Sequence, residues 1–123
     1  MDNSLLIVED EALASLFLSD CLESAGYMVT AAVATGNEAI ASAAANRPAI
    51  ALVDILLKGD MDGIATAKVL RSIGDIPVIF TTGQGDPATR ARADAVGHAG
   101  YILKPFTCAQ IVRAVQRALP PTA

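Results

Sequence analysis

A chain of 123 residues that is 53% hydrophobic but only 4% aromatic makes one domain, with a core of alanine, valine, isoleucine and leucine. Its net charge of -4 argues against a nucleic-acid-binding surface, which needs a basic stripe, and no apolar stretch approaches the roughly 20 residues of a membrane span. Met1-Asp2-Asn3 lacks the basic start of a secretory signal, so a cytoplasmic location is expected. Cys21 and Cys108 belong to no paired-cysteine motif and read as separate buried thiols of a reducing compartment, not as a disulfide.

In chain order, Leu5-Leu6-Ile7-Val8 forms a first strand that runs into Glu9-Asp10-Glu11. A helix over about 11–25 follows, with Leu13, Leu16, Phe17, Cys21 and Ser24 at helical spacing and Gly26 placed to cap its end. After a second strand at about 27–33, Thr35 and Glu38 make a capping box for a helix ending near Asn46, with Pro48 beyond it. The third apolar run, Ala49-Ile50-Ala51-Leu52-Val53, delivers Asp54, and a helix at about 62–73 turns Val69, Leu70 and Ile73 inward.

Val78-Ile79-Phe80 runs into Thr81-Thr82-Gly83, and Asp86-Pro87 starts the fourth helix with an N-cap acid and a proline in its first turn. The apolar positions of that helix are mostly Ala88, Ala91 and Ala95. Burying alanine removes little area from water, so this helix should be the least firmly anchored. Tyr101-Ile102-Leu103 delivers Lys104-Pro105. Thr107 and Gln110 then cap a fifth helix with Ile111, Val112, Val115 and Leu119 on one stripe, ended by Pro120-Pro121. Strands alternating with helices imply right-handed crossovers and a doubly wound α/β fold, a five-stranded parallel sheet covered by five helices.

Ligands of such sheets bind at the carboxyl ends of the strands, where this chain places acids, a hydroxyl and an ammonium. Asp54 is the candidate nucleophile, because a carboxylate can attack a phosphoryl group and hold it as an aspartyl phosphate. Asp10 and Asp54 can ligate Mg²⁺, with Glu9 acting through a water in the outer shell. Lys104 offers a point positive charge to a phosphoryl oxygen and Thr82 a hydroxyl donor. Asp10 alone could be a helix cap, but Asp54 and Lys104 at buried strand ends need each other or a cation.

Four motifs in order, Val8-Glu9-Asp10-Glu11, Asp54 with Met61-Asp62-Gly63, Pro77 to Gly83, and Tyr101-Ile102-Leu103-Lys104-Pro105-Phe106, make the whole chain resemble the receiver domain of two-component response regulators. The resemblance implies the flavodoxin-like sheet order 2-1-3-4-5. It implies phosphorylation of Asp54 by a histidine kinase or histidine phosphotransfer protein. It also implies Mg²⁺ on Asp10, Asp54 and the backbone carbonyl of Leu56, and a cis Lys104-Pro105 bond. Thr82 and Lys104 would contact the phosphoryl group. Thr82 and Tyr101 would form the switch, altering the face of the fourth helix, fifth strand and fifth helix for an unknown downstream protein, a relay or a homodimer. Read as a single receiver spanning 1–123 with no output domain, the chain is expected to be a regulator and not an enzyme.

Two departures matter. The loop from Ile55 to Gly63 is one residue longer than the common form and lacks its proline. Leu56 is apolar where many receivers carry a polar group, so a long-lived phosphoform is expected, with Gln84 as the side chain that could position water instead. A Mg²⁺-dependent phosphatase with an aspartyl nucleophile is the alternative, but it needs an acid at the position of Leu56. A flavin mononucleotide carrier would have its phosphate repelled by Glu9, Asp10 and Glu11. His98 reads as an exposed loop residue, and Arg90 and Arg92 as a solvated helix face.

Overall fold

The computed structural model describes residues 2–83 and 85–119; Gln84 and the Pro120-Pro121 terminator lie outside them. The elements are β1 (Ser4–Val8), α1 (Ala12–Ser24), β2 (Met28–Val33), α2 (Gly36–Ala45), β3 (Ile50–Asp54), α3 (Gly63–Gly74), β4 (Val78–Thr82), α4 (Pro87–Val96), β5 (Gly100–Leu103) and α5 (Cys108–Ala118). All strand pairs are parallel, and the sheet order is β2-β1-β3-β4-β5, as the resemblance implied.

Sheet position explains the strand compositions. Every residue of the inner strands β3 and β4 is buried, which suits their unbroken apolar runs, whereas edge strands β2 and β5 are only partly covered. Alternating side chains divide the core into two layers. Leu6, Val8, Ala51, Val53, Val78 and Phe80 meet α2, α3 and α4 on one face. Leu5, Ile7, Ile50, Leu52 and Ile79 meet α1 and α5 on the other. The five helices therefore cover both faces of the sheet.

Helix ends follow local chemistry. Thr107 and Gln110 form the expected reciprocal capping box. At α2 the box is only half made: Thr35 accepts from the Glu38 amide, but the Glu38 carboxylate reaches the Ala34 amide and the Thr35 hydroxyl instead of the Thr35 amide. Asp86 caps α4 through the Thr89 amide, with Pro87 as the first helical residue. Gly26, at a φ of 97°, lets the chain turn out of α1.

Three expectations need correction. In α1 the buried stripe is Leu18, Cys21 and Leu22, while Leu13, Leu16 and Phe17 remain exposed. This helix is apolar on two faces, and periodicity alone does not choose between them. In α4 the one buried side chain is Ala93, and Ala88, Ala91 and Ala95 face solvent, so the anchoring is thinner than expected. Third, Cys21 and Cys108 are joined in a disulfide, with Cα atoms 5.4 Å apart. The packing of α1 beside α5 brings together residues 87 apart in sequence, a proximity that no local motif records. Among the described residues, no helix is long and apolar enough to cross a membrane.

Candidate functional site

Parallel register brings the strand ends to one rim of the sheet. Val8 lies between Val33 and Val53, Asp54 pairs with Thr81, and Thr82 pairs with Leu103. The next residues of β1 and β5, Glu9 and Lys104, are steered by the backbone: the Glu9 amide donates to Val33 O at 2.9 Å and the Lys104 amide to Thr82 O at 2.8 Å. The Lys104-Pro105 bond is cis, as implied by the family resemblance.

At the centre, Lys104 Nζ donates to Glu9 Oε1 and to Asp54 Oδ2, both at 3.0 Å. The Glu9 and Asp54 side chains are 2% and 6% exposed, against 31% for Lys104, so two enclosed acids share one half-open ammonium. Asp54 Oδ1 accepts from the Leu56 amide, and Asp10 Oδ2 accepts from the Lys58 amide. Asp10 thereby touches the loop after β3, a link that the sequence did not announce. Ligand oxygens of Glu9, Asp10 and Asp54 lie within 4.8 Å of one another.

Electrostatics explains the protonation tendencies. Burial pushes the Glu9 carboxyl above its ordinary value of 4.5, and the Glu11 amide and Lys104 only partly oppose this. Burial alone would lower Lys104, but its bonds to Glu9 and Asp54 overcome that effect and hold it above its ordinary value. Because the folded state favours protonated Glu9, that group's contribution to stability is complete below 4.5 and fades as pH rises through its raised folded value.

Lys104→Met, which keeps the stem and removes the charge, is expected to cost about 2 kcal/mol at neutral pH. That is less than for a fully enclosed pair, because part of the lysine meets water. The loss should shrink as pH falls through the carboxylate range, and urea unfolding at a series of pH values would reveal it. A pH-independent loss would point to packing instead of charge.

The other expected residues are placed as follows. Thr82 is fully buried, and Tyr101 packs against the Phe80 layer with the Arg90 guanidinium 4.4 Å from its ring centroid. Leu56 offers its amide to Asp54, and the residue is 53% exposed. Gln84 lies outside the described residues.

His98 corrects the surface assignment. Its side chain is only 12% exposed, its ring meets Phe80 edge-on at 5.7 Å, and Nε2 lies 2.7 Å from Asp94 Oδ1. The histidine fills the space beside Phe80 and Tyr101 while Asp94, four residues earlier, holds its polar edge. The signal was the i, i+4 acid.

Sequence reading also missed Asp62. It caps α3 through the Ala65 amide and binds Arg92 Nη2 at 2.9 Å. Burial would raise its carboxyl, but the Ala65 amide and Arg92 hold it below the ordinary value. Arg92 and Arg90 are exposed as expected, yet both are paired, Arg90 with Asp94 in the next turn.

The response regulator receiver domain family matches residues 5–116. The chain is 35% identical over 114 residues to the heme response regulator HssR of Staphylococcus haemolyticus, covering 93% of this chain and 50% of that protein. It is 34% identical over 122 residues to the transcriptional regulatory protein SrrA of Staphylococcus aureus, covering 99% and 50%. The chain thus spans about half the length of these curated relatives.

Among solved structures, the signal receiver domain of a modulated diguanylate cyclase from Desulfovibrio desulfuricans superposes with a TM-score of 0.90 at 40% identity, covering 97% of this chain and 94% of that one. The Vibrio cholerae chemotaxis protein CheY4 superposes with a TM-score of 0.88 at 29% identity, covering 97% and 100%.

Proposed function

The chain belongs to the response regulator receiver family of two-component systems, and from that premise we propose that Asp54 is its phosphoacceptor. The observation that carries this reading is the sharing of one ammonium by two buried carboxylates beside a third. The donor is a phosphohistidine of a kinase or phosphotransfer protein. The P–N bond breaks, Asp54 forms a P–O bond, and the imidazole keeps the electron pair and gains a proton. Lys104, already 3.0 Å from Asp54, stays beside the new acyl phosphate and neutralises part of its charge.

The donor set fits Mg²⁺: three clustered carboxylates offer hard oxygen ligands, and one ammonium leaves them with excess negative charge. Asp10 and Asp54 would hold the ion directly, together with the Leu56 carbonyl, with Glu9 outside them. Bound there, it would supply charge neutralisation for the phosphoryl oxygens. With free Mg²⁺ at ten times its dissociation constant, the fold should gain about 1.4 kcal/mol. Thermal unfolding with and without the ion would show this, and Asp10→Asn should remove most of the shift. An equal shift in the variant would place the ion elsewhere.

Thr82 and Tyr101 form the proposed switch. α4, held by Ala93 alone among its buried side chains, is the element that they can displace at low cost. The face of α4, β5 and α5 then meets a downstream protein, a relay histidine or a second copy.

The decisive experiment is incubation with a small acyl phosphate and Mg²⁺, followed by intact-mass measurement. Gain of one phosphoryl group is expected, and no gain with any donor would overturn the assignment. Leu56, apolar and facing solvent, supports slow loss of that label in the same preparation. The aspartyl phosphatase alternative finds no support, since no acid stands at that position.

A further inference from the structure

We propose that Cys21 and Cys108 form a reversible redox site for small thiols and disulfides, which clamps α1 to α5 when oxidised. The two cysteines differ sharply in exposure. Cys21 sits in the layer between α1 and the sheet and is 5% exposed, whereas Cys108, the first residue of α5, is exposed. An open groove lined by Phe17, Asp20, Cys21, Ser24, Ala25 and Cys108 leads to the bond from solvent. Enclosed bridges resist exchange, whereas exposed ones belong to the labile class. This one presents one sulfur for attack and keeps the other ready to re-form the bond.

The exchange balances without a metal or an electron carrier. A thiolate of a small thiol such as glutathione attacks the Cys108 sulfur, and the protein S–S bond breaks. Cys21 leaves as a thiolate and takes the proton that the attacking thiol gave up. A second glutathione thiolate then attacks the mixed disulfide on Cys108, releasing glutathione disulfide and the Cys108 thiolate, which is protonated in turn. One protein disulfide and two thiols thus become two protein thiols and one small disulfide, and the reverse sequence restores the bridge.

Position gives the bond its consequence. Cys108 follows Lys104 by four residues, and the intervening segment carries Phe106, whose ring lies 6.2 Å from that of Phe17 on α1. Oxidised, α1 and the start of α5 are covalently joined, which restrains the 104–107 segment from its far end. Reduced, the same seam is held by noncovalent packing, Phe17 against Phe106 included. The inference is independent of the phosphoacceptor reading, because neither sulfur belongs to the acidic cluster.

The test uses the full chain equilibrated in stepped ratios of reduced to oxidised glutathione, then alkylated and weighed intact. Two species are expected, both cysteines bonded or both free, interconverting with a defined midpoint. In the reduced chain, Cys108 should alkylate at least roughly tenfold faster than Cys21. Cys21→Ser should accumulate one glutathione on Cys108, while Cys108→Ser should remain unmodified at the buried Cys21. Hydrogen exchange of residues 104–107 should be slower in the oxidised chain. Absence of the bridge at every ratio, equal alkylation of both sulfurs, or identical exchange in the two forms would each overturn the proposal.

Discussion

Asp54→Asn is expected to reduce phosphoryl labelling to background while leaving the fold at least as stable as before. The amide keeps the size and shape of the side chain but loses the nucleophilic oxygen charge, so the acyl phosphate does not form. Stability should not fall, because the present arrangement crowds two buried acids around one ammonium. Charge repulsion from Asp54 is among the effects that raise the Glu9 carboxyl. With asparagine at 54, Glu9 and Lys104 are matched one to one, and the Glu9 carboxyl should move back towards its ordinary value. Intact mass after treatment with phosphodonor reads the first effect, and thermal unfolding reads the second. Full labelling of the variant would move the acceptor to another residue.

The second large effect is expected from Gly63→Ala, a substitution that adds one methyl group and touches no charge. A Cβ at position 63 would collide with the carbonyl of Asp54 and with Cα of Ile55. These are backbone atoms and cannot rotate aside, and the Gly63 amide already donates to Ile55 O at 2.8 Å. Either α3 retreats or the end of β3 shifts. The expected cost is about 3 kcal/mol, or roughly a 10 °C drop in melting temperature.

Labelling should fall too, since the same shift misplaces the Leu56 amide that holds Asp54. Gly83→Ala is the control: a Cβ there meets nothing within 4 Å, so its cost should stay within about 0.5 kcal/mol. Equal melting temperatures for the two variants would show that close approach at Gly63 is not what fixes the loop.

Much of this arrangement was legible because the groups concerned follow apolar runs directly. Glu9, Asp54, Thr82 and Lys104 could be placed at one rim once parallel strands were inferred, since each lies at or just beyond a strand end. Sheet order was less accessible, because strand alternation permits several orders and only the family resemblance selected one.

The misses share a cause. Choosing the buried face of α1 requires knowing where α5 lies. The cysteine pair requires the same helix–helix contact, and a reducing compartment bears only on where disulfides usually persist. His98 was assigned to the surface for being in a turn, although Asp94 stands one helical turn before it and Phe80 beneath it. Asp62 was read as part of a motif and not as the partner of an arginine 30 residues away. Tertiary neighbours, not residue preferences, decide all four.

The bond between Arg92 and Asp62 joins the outer side of α4 to the opening turn of α3, on the loop that begins at Asp54. An outward swing of α4 must release that guanidinium and leave the capping acid facing water without its counter-charge. The same guanidinium joins α4 to the end of the loop that leaves the acidic crevice, beside the core layer that the two helices already share. The two neighbouring helices are coupled at their rims as a door is to its frame, by a latch that dissolved salt can loosen and the oily interior cannot replace.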